Sequence, residues 1–463
     1  MPDPPPLQTE PPVPDLKATF TGQSIHHIPL PAAILDLAKI KQNCMQMLTT
    51  VHELQIGFRA HVKTHKTAEL TRYQIGRESE DVRLVVSTVL ELARLVALCK
   101  EYRARGAKVN VLYGLPVAMS QVGRLVEIVG ELGGGGVSLM VDHPAQMACV
   151  KEIHQLSGQA VGVFLKTDSG YHRAGVTPTS SAMAKLVREV VSLEQQGVLQ
   201  LVGFYSHNSL SYGGNSPEEA MDNLREEVDA CTTAALQNLP RGYLSTRATP
   251  VTISSGASPT ALSLQNLRSM EHTSSAQALR HSLATAKQAN LHFEIHAGVY
   301  PVLDIQQVSA SSRSSAAASL QPGEDMYDRI ALTVLSEVCS LYPDRTDIPE
   351  ALINAGCLAL AREPCKSYRG HGVVSPWNMH RQYNAKDESE KIIVDRVSQE
   401  HGILQRDDRD SQEPLPLEYG QRLRIWPNHA CITGAQFDWY LVVDSSSDEP
   451  DIVQDVWTRW RGW

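Results

Sequence analysis

From residue 56 to about 300, short apolar and β-branched runs alternate with longer stretches whose apolar positions recur at helical spacing. The runs are IGFRAHVK (56–63), RLVVS (83–87), VNVLYG (109–114), VSLMVD (137–142), VGVFLKTD (161–168), LVGFYSH (201–207), VTISSG (251–256) and FEIHAG (293–298). STVLELARLVALCKEY and PVAMSQVGRLVEIVGEL, between them, carry an amphipathic helical pattern. Eight strand–helix units in about 240 residues predict a (β/α)8 barrel over 21–300, a fold that typically takes about 250. Most runs end in a polar residue: Lys63, Ser87, Tyr113, Asp142, Asp168, His207 and Ser255. In such barrels the C-terminal strand ends form the active-site mouth.

After residue 300 short apolar runs follow one another without long helices, as in RIALTVLSEVCSLY, EALINAGCLALA, RLRIWPNHACITG and WYLVVD. This predicts a β-rich second domain over 301–463. The Ser/Ala-rich segment 307–325 reads as a mobile loop and 379–391 as a solvated excursion. Seven prolines in the first fourteen residues, without a charged-then-apolar signal pattern, predict a disordered tail over 1–20.

Composition narrows the partners. The formal net charge of -9 argues against nucleic acid, whose phosphates need clustered Lys and Arg. No apolar stretch approaches the roughly 18 residues that span a bilayer. The eight cysteines are scattered with no Cys-x-x-Cys pair, which reads as reduced thiols and a cytoplasmic location. GxGxxG and Walker-type loops are absent, which excludes the usual nicotinamide and nucleotide sites. A small-molecule partner remains.

Three segments have the residue types for chemistry. In RAHVKTHKTAEL (59–70), His61, Lys63 and His65 alternate, so on a strand they share one face. Cations at His65 and Lys66 would lower the Lys63 pKa toward the neutral amine that a Schiff base requires; a basic surface loop has the same texture. SSGASPT (254–260) follows the seventh strand, where barrels of this kind hold phosphate; a helix N-cap followed by Pro looks alike. In WPNHACITG (426–434), His429 and Cys431 would point to one side of a strand, an imidazole–thiolate pair suited to zinc with open positions for water or substrate. A structural His-x-Cys has the same spacing.

Taken together and in this order, the segments resemble the D-serine dehydratase and D-threonine aldolase group, which shares an alanine racemase-like barrel and a C-terminal β-domain. HVKTHKT (61–67), VVSTVLEL (85–92), LYGLPV (112–117), KTDSGYHRAGV (166–176), FYSHNSLSY (204–212), SSGASPT, EIHAGVYPVLD (294–304), QEHG (399–402) and PNHAC (427–431) carry the resemblance, from about residue 28 to the C-terminus. Ala60, Asn208, Ser209 and Asn354 depart from the group's pattern.

The resemblance implies that Lys63 holds pyridoxal phosphate covalently. It implies that Gly256, Ala257 and Ser258 bind the phosphate through backbone and hydroxyl groups, with Ser255 beside them. Tyr205 and Tyr212 would sit against the cofactor and Arg173 in the supporting shell. His429 and Cys431 would bind Zn2+. The expected activity is elimination of water from D-serine to give pyruvate and ammonia, with D-threonine as a slower substrate; Lys63, as the single base placed, sets the D configuration. The alternative is metal-dependent D-threonine aldolase cleavage. The group's barrels dimerise, so a homodimer is expected, with the partner's β-domain completing each site.

Overall fold

The computed structural model describes residues 13–320, 324–345, 348–379, 383–387 and 389–463. Its strands are β1 (Ala32–Asp36), β2 (Gly57–His61), β3 (Asp81–Val86), β4 (Lys108–Pro116), β5 (Val137–Val141), β6 (Val161–Lys166), β7 (Leu199–Tyr205), β8 (Val251–Ser255) and β9 (Leu291–Ala297), then β10 (Leu332–Tyr342), β11 (Glu350–Ile353), β12 (Gly372–Val374), β13 (Ile392–Val397), β14 (Gly402–Arg406), β15 (Arg422–Pro427), β16 (Trp439–Val443) and β17 (Asp455–Thr458). β2 to β9 close into an all-parallel barrel, sealed by β2 against β9 with Gly57 opposite Glu294. β5 and β6 are buried along their whole length, as parallel strands covered by helices must be. The helices start where the sequence provides caps: Thr88, Ser180, Ser216 and Thr273 each accept from a backbone N–H of the first turn.

The barrel interior carries a charged layer in which Arg59 and Glu294 are fully buried. Arg59 on β2 meets Glu294 on β9 at 2.5 Å, and Arg83 reaches the same carboxylate at 3.0 Å. The Arg59 guanidinium also donates to Leu84 O and Asn110 Oδ1 and lies over the Phe164 ring. Burial alone would raise the Glu294 pKa, but the two guanidiniums overcome it and hold the carboxyl at about 2. Four elements share these bonds, so the layer locks strand register at the end of the barrel away from the mouth.

The second domain is a nine-stranded sheet in the order β11-β14-β13-β12-β15-β10-β1-β16-β17. β1 therefore belongs to this sheet and not to the barrel. It pairs antiparallel with β10 (Ala33 with Val334) and parallel with β16 (Ile34 with Leu441). Ile25, Ile28 and Ile34 pack with Leu335, Leu441, Val443, Val453 and Val456 in one core. The barrel boundary expected at residue 21 thus moves to the helix Leu37–Glu53, which leads from β1 into β2. Val13–Phe20 is a helix against β17, joined by Lys17–Asp455 at 2.7 Å, so the expected disordered tail does not extend to residue 20; residues 1–12 lie outside those described.

The expected loop 307–325 is packed over its described part. Arg313 is buried and donates to Gln46 Oε1 and Gln265 Oε1, while Gln46 and Asn266 donate to the Ala317 and Ser312 carbonyls. Small side chains here allow the backbone to lie against the helix Leu37–Glu53. In the 379–391 excursion, residues 380–382 and 388 lie outside those described. The Tyr383 hydroxyl bridges Val374 O and Ile392 N, which ties the start of that segment to the sheet.

Candidate active site

A cavity of about 670 Å3 opens where the C-terminal ends of the barrel strands face the second domain. His61 and Lys63 line it from the end of β2, His207 from β7, Ala257 and Ser258 from β8, and His296 from β9; Glu363, His429 and Cys431 close it from the second domain. Lys63 sits in the turn after β2. Among the described residues, no hydrogen bond or ion pair reaches its Nζ.

The expected shared face of His61, Lys63 and His65 holds only for the first two. The strand ends at His61, and the following turn swings His65 away to a buried position between Thr67 Oγ1 (3.1 Å) and Gln74 Oε1 (2.9 Å). Burial lowers the His65 pKa to about 3, so it is no cation. The Lys66 ammonium pairs with Glu91 at 3.0 Å. Neither residue therefore stands as an unpaired cation beside Lys63.

Sequence reading missed His296 as a site residue and gave His207 only as a polar strand end. Both line the cavity together with His61, and burial followed by nearby lysines holds all three well below the usual imidazole range. The His296 ring lies on Tyr205, 4.1 Å between centroids and nearly parallel, and its Nδ1 meets Ser254 Oγ at 3.1 Å. Its Nε2 is buried without a partner among the described residues. The alternation of Glu294 and His296 along FEIHAG was the available signal, since both had to point inward. Lys63 is thus not the single base in the cavity, because three neutral imidazoles share it.

Tyr205 does not line the cavity. It lies one layer below, between His296 and the Lys166 ammonium, which sits 4.6 Å over its ring. Tyr212 does line it, with its phenol bonded to the Ser258 backbone. Arg173 stands at the exposed rim against Tyr171, 3.4 Å from Ser209 Oγ. Asp168 organises the loop that carries Arg173, accepting from the backbone of Gly170 and His172. Ser87, Tyr113, Asp142 and Asp168, expected at the mouth, are not on the cavity wall.

The SSGAS segment differs most from expectation. Ser254 points inward to His296, so Ser255 points outward, toward Cys231. The Gly256 N–H donates to Glu227 at 2.8 Å and the Ala257 N–H to Thr260 Oγ1 at 2.8 Å, so neither is free for a phosphate. Gly256 is required for another reason. Its φ is +144°, and a Cβ there would stand 2.5 Å from the His296 carbonyl. Ser258 remains on the wall; its Oγ accepts from Val299 N–H at 3.1 Å and keeps its own proton to donate. Glu227, on the helix Pro217–Asn238, was not anticipated. Burial raises its pKa to about 7 although the Gly256 N–H and Lys166 oppose this.

His429 and Cys431 are not on a strand. β15 ends at Pro427, His429 precedes the short helix Ala430–Gly434 and Cys431 lies in it. Both nevertheless face the cavity, and within one chain, so the expected completion by a partner's β-domain is not needed to bring this pair to the barrel mouth. Burial opposes charge on both. The Cys431 thiolate, Asp304 and Glu363 still raise the His429 pKa to about 9, and the His429 and Lys63 charges together with Thr64 pull the Cys431 thiol below its usual range. Thr64 Oγ1 lies 3.2 Å from Cys431 Sγ, and Glu363 Oε2 lies 3.5 Å from His429 Nδ1, too far for a hydrogen bond to that buried nitrogen. A thiol pulled below its usual range, beside an imidazole nitrogen without a hydrogen-bond partner among the described residues, fits a soft divalent metal. Among the described residues, no group of three or more His, Cys, Asp or Glu is placed to hold a metal, so this pair would leave coordination positions open.

A parallel barrel followed by a β-domain, with a free lysine at the strand ends, defines the alanine racemase-like class of barrel proteins, a pyridoxal-phosphate-dependent fold family. A family model for the alanine racemase N-terminal domain matches residues 35–293, and one for a serine dehydratase domain matches 331–443. The chain is 35% identical to a D-serine dehydratase of Schizosaccharomyces pombe over 97% of its own length and 95% of that protein, and 31% identical to a D-serine dehydratase of Saccharomyces cerevisiae over 97% and 100%. It belongs to the D-serine dehydratase family. Among solved structures, D-threo-3-hydroxyaspartate dehydratase from Delftia sp. HT23 superposes with a TM-score of 0.71 at 24% identity, covering 95% of this chain and all of that one; a mutant dehydratase of that name is known in a metal-free form.

Proposed function

We propose that this chain is a pyridoxal-phosphate- and zinc-dependent D-serine dehydratase that converts D-serine to pyruvate and ammonia. One observation carries the reading: Lys63, whose amine has no partner among the described residues, shares a single cavity wall with the pair His429 and Cys431. The residues present fit both groups. The lone Nε2 of His296 is a buried polar atom in need of a partner, and the thiolate–imidazole donor set suits zinc over metals that prefer oxygen. The family relationship and the D-serine dehydratases among its relatives support the substrate.

In this reading Lys63 holds the cofactor, Ser258 donates its hydroxyl proton to the phosphate, and Tyr212 and Arg173 border the substrate at the mouth. Lys63 Nζ takes the α-proton. When bound, pyridoxal phosphate supplies an electron sink for the α-carbon, and zinc a Lewis acid for the β-hydroxyl. His429 and Cys431 hold the metal from the second domain, leaving its open positions toward the cavity. The neutral imidazoles of His61, His207 and His296 solvate the interior without adding positive charge beside Lys63. D-threonine fits the same groups with one extra methyl, worth about 1–3 kcal/mol of discrimination.

The test is product analysis. Incubation of the purified protein with D-serine and D-threonine should yield pyruvate and 2-oxobutanoate with ammonia, with D-serine turned over faster. Glycine as the main product from D-threonine would move the protein to the aldolase reading.

Two further parts of the proposal are a homodimer and a cytosolic location. Leu210 and Ile432 are exposed apolar side chains next in sequence to the cavity-lining Ser209 and Cys431, which supports a partner covering the mouth. All eight cysteines are unpaired, and among the described residues no helix is long and apolar enough to cross a membrane. Sedimentation should give twice the mass of 50.9 kDa, and cell fractionation should place the activity with cytosolic markers. An active monomer, or activity in an organelle fraction, would remove the corresponding part.

A further inference from the structure

Resting on the reading that Lys63 holds the cofactor, we propose that Lys66 is the positioning residue for Lys63, and that the buried residues Glu91 and Trp460 hold it in place. The chain reverses between β2 and the helix Ala68–Ile75 in a turn closed by Lys66 N–H on Val62 O at 2.9 Å. Lys63 is inside that turn. Its Nζ has no protein partner among the described residues, so the direction of its side chain is inherited from the backbone beneath it.

That backbone is held in an unfavourable form. Lys66 has φ +50°, the left-handed region that side chains other than Gly, Asn and Asp seldom adopt. Two contacts keep it there. The Trp460 N–H, from the end of the second domain, donates to Lys66 O at 2.8 Å, and Trp460 itself is buried. The Lys66 ammonium reaches Glu91 Oε1 at 3.0 Å, and the Glu91 side chain is fully buried. Glu91 also accepts from Ser87 N–H and the Thr88 hydroxyl at the start of the helix Val89–Ala104, an ordinary capping arrangement. The Ser87 N–H needs one side-chain oxygen, which a glutamine also offers. The buried negative charge faces the helix N-terminus, and its ion-pair partner is Lys66. The ion pair thus ties the third residue after Lys63 to the neighbouring barrel unit, while Trp460 ties the same residue to the second domain.

Glu91→Gln and Lys66→Gly separate this role from folding. Glutamine keeps one acceptor oxygen for the Ser87 N–H, and glycine accepts φ +50° without cost, so each removes the ion pair while leaving the turn possible. The two quantities to measure are the dissociation constant of pyridoxal phosphate from its absorbance titration into the cofactor-free protein, and the visible circular dichroism per bound cofactor. Both variants are expected to raise the dissociation constant about ten-fold or more, since a preorganised lysine is lost, and to reduce the dichroic band. Lys66→Arg should restore both. Wild-type values of both quantities in Glu91→Gln and Lys66→Gly would overturn the proposal. If either variant is unfolded at the assay temperature, the double variant Lys66→Met with Glu91→Gln, which leaves no unpaired buried charge, is read by the same two criteria. Retention of the lysine-bound cofactor absorbance in Lys63→Ala would instead show that the Lys63 reading itself is wrong.

Discussion

Lys63→Ala is expected to fold, to lack the yellow absorbance of a lysine-bound cofactor, and to lose turnover of D-serine by at least about 10³-fold, because one amine both carries the cofactor and moves the α-proton. The rival is Lys166. Burial lowers its pKa to about 8, so it loses its proton more readily than an ordinary lysine. Access decides against it. Lys166 lies behind Tyr205, with its ammonium over the ring, and it does not line the cavity, whereas Lys63 does. Borohydride reduction of the loaded protein followed by peptide mass spectrometry should place the cofactor on Lys63. A label on Lys166 or Lys66 would refute the assignment.

The second large effect concerns the metal pair. His429→Ala, Cys431→Ala and chelation should each cut pyruvate formation from D-serine by about 10²-fold or more, since a Lewis acid on the leaving hydroxyl is worth several kcal/mol. The cofactor absorbance should persist, because Lys63 is carried by a different element. Added zinc should restore the chelated wild type but neither variant. Manganese should restore it poorly, because a thiolate is a soft donor. Restoration by manganese with glycine and acetaldehyde formed from D-threonine would contradict this and favour aldolase chemistry. Asp304 sharpens the comparison. It is buried beside the pair, burial raises its pKa to about 6, and both its oxygens accept backbone N–H bonds, from Gln307 and Ala430. It therefore holds the segment that bears Cys431, and is already engaged rather than poised as a further ligand.

Much of the barrel was legible because its strands are buried on both faces. Such strands are predominantly apolar, and the eight runs in the sequence correspond to β2 through β9. β1 was not legible. AAILD has the same texture as any buried strand, and its neighbours are Val334 and Leu441, some 300 to 400 residues further along the chain. The 307–325 segment failed for the opposite reason. Its small and polar residues look like solvent-exposed chain, yet the helix Leu37–Glu53 offers Gln46 to bind it.

For the site, residue chemistry was local and geometry was not. Lys63, His429 and Cys431 stood out by type and spacing, and Ser258 and Tyr212 by their place in motifs; all five line one cavity. Ser255 and Tyr205 were expected on that wall and are not, since alternation along β8 turns Ser255 outward and Tyr205 lies a layer deeper. Gly256 shows the limit most clearly. Its sequence context suggests a phosphate loop, but its N–H is taken by Glu227 from a helix that begins in the preceding crossover, and its missing Cβ makes room for the His296 carbonyl.

The sequence by itself determined the strand–helix alternation, the reactive residue types and their order, because apolar period and side-chain chemistry are properties of a few consecutive residues. Only the tertiary structure decided which strands pair, which N–H groups remain free, that His65 turns away while His296 turns in, and that one chain brings Lys63 and Cys431 to the same wall. Those outcomes depend on packing between residues from different elements, some of them hundreds of positions apart, where each hydrogen-bond donor goes to the acceptor that folding places beside it.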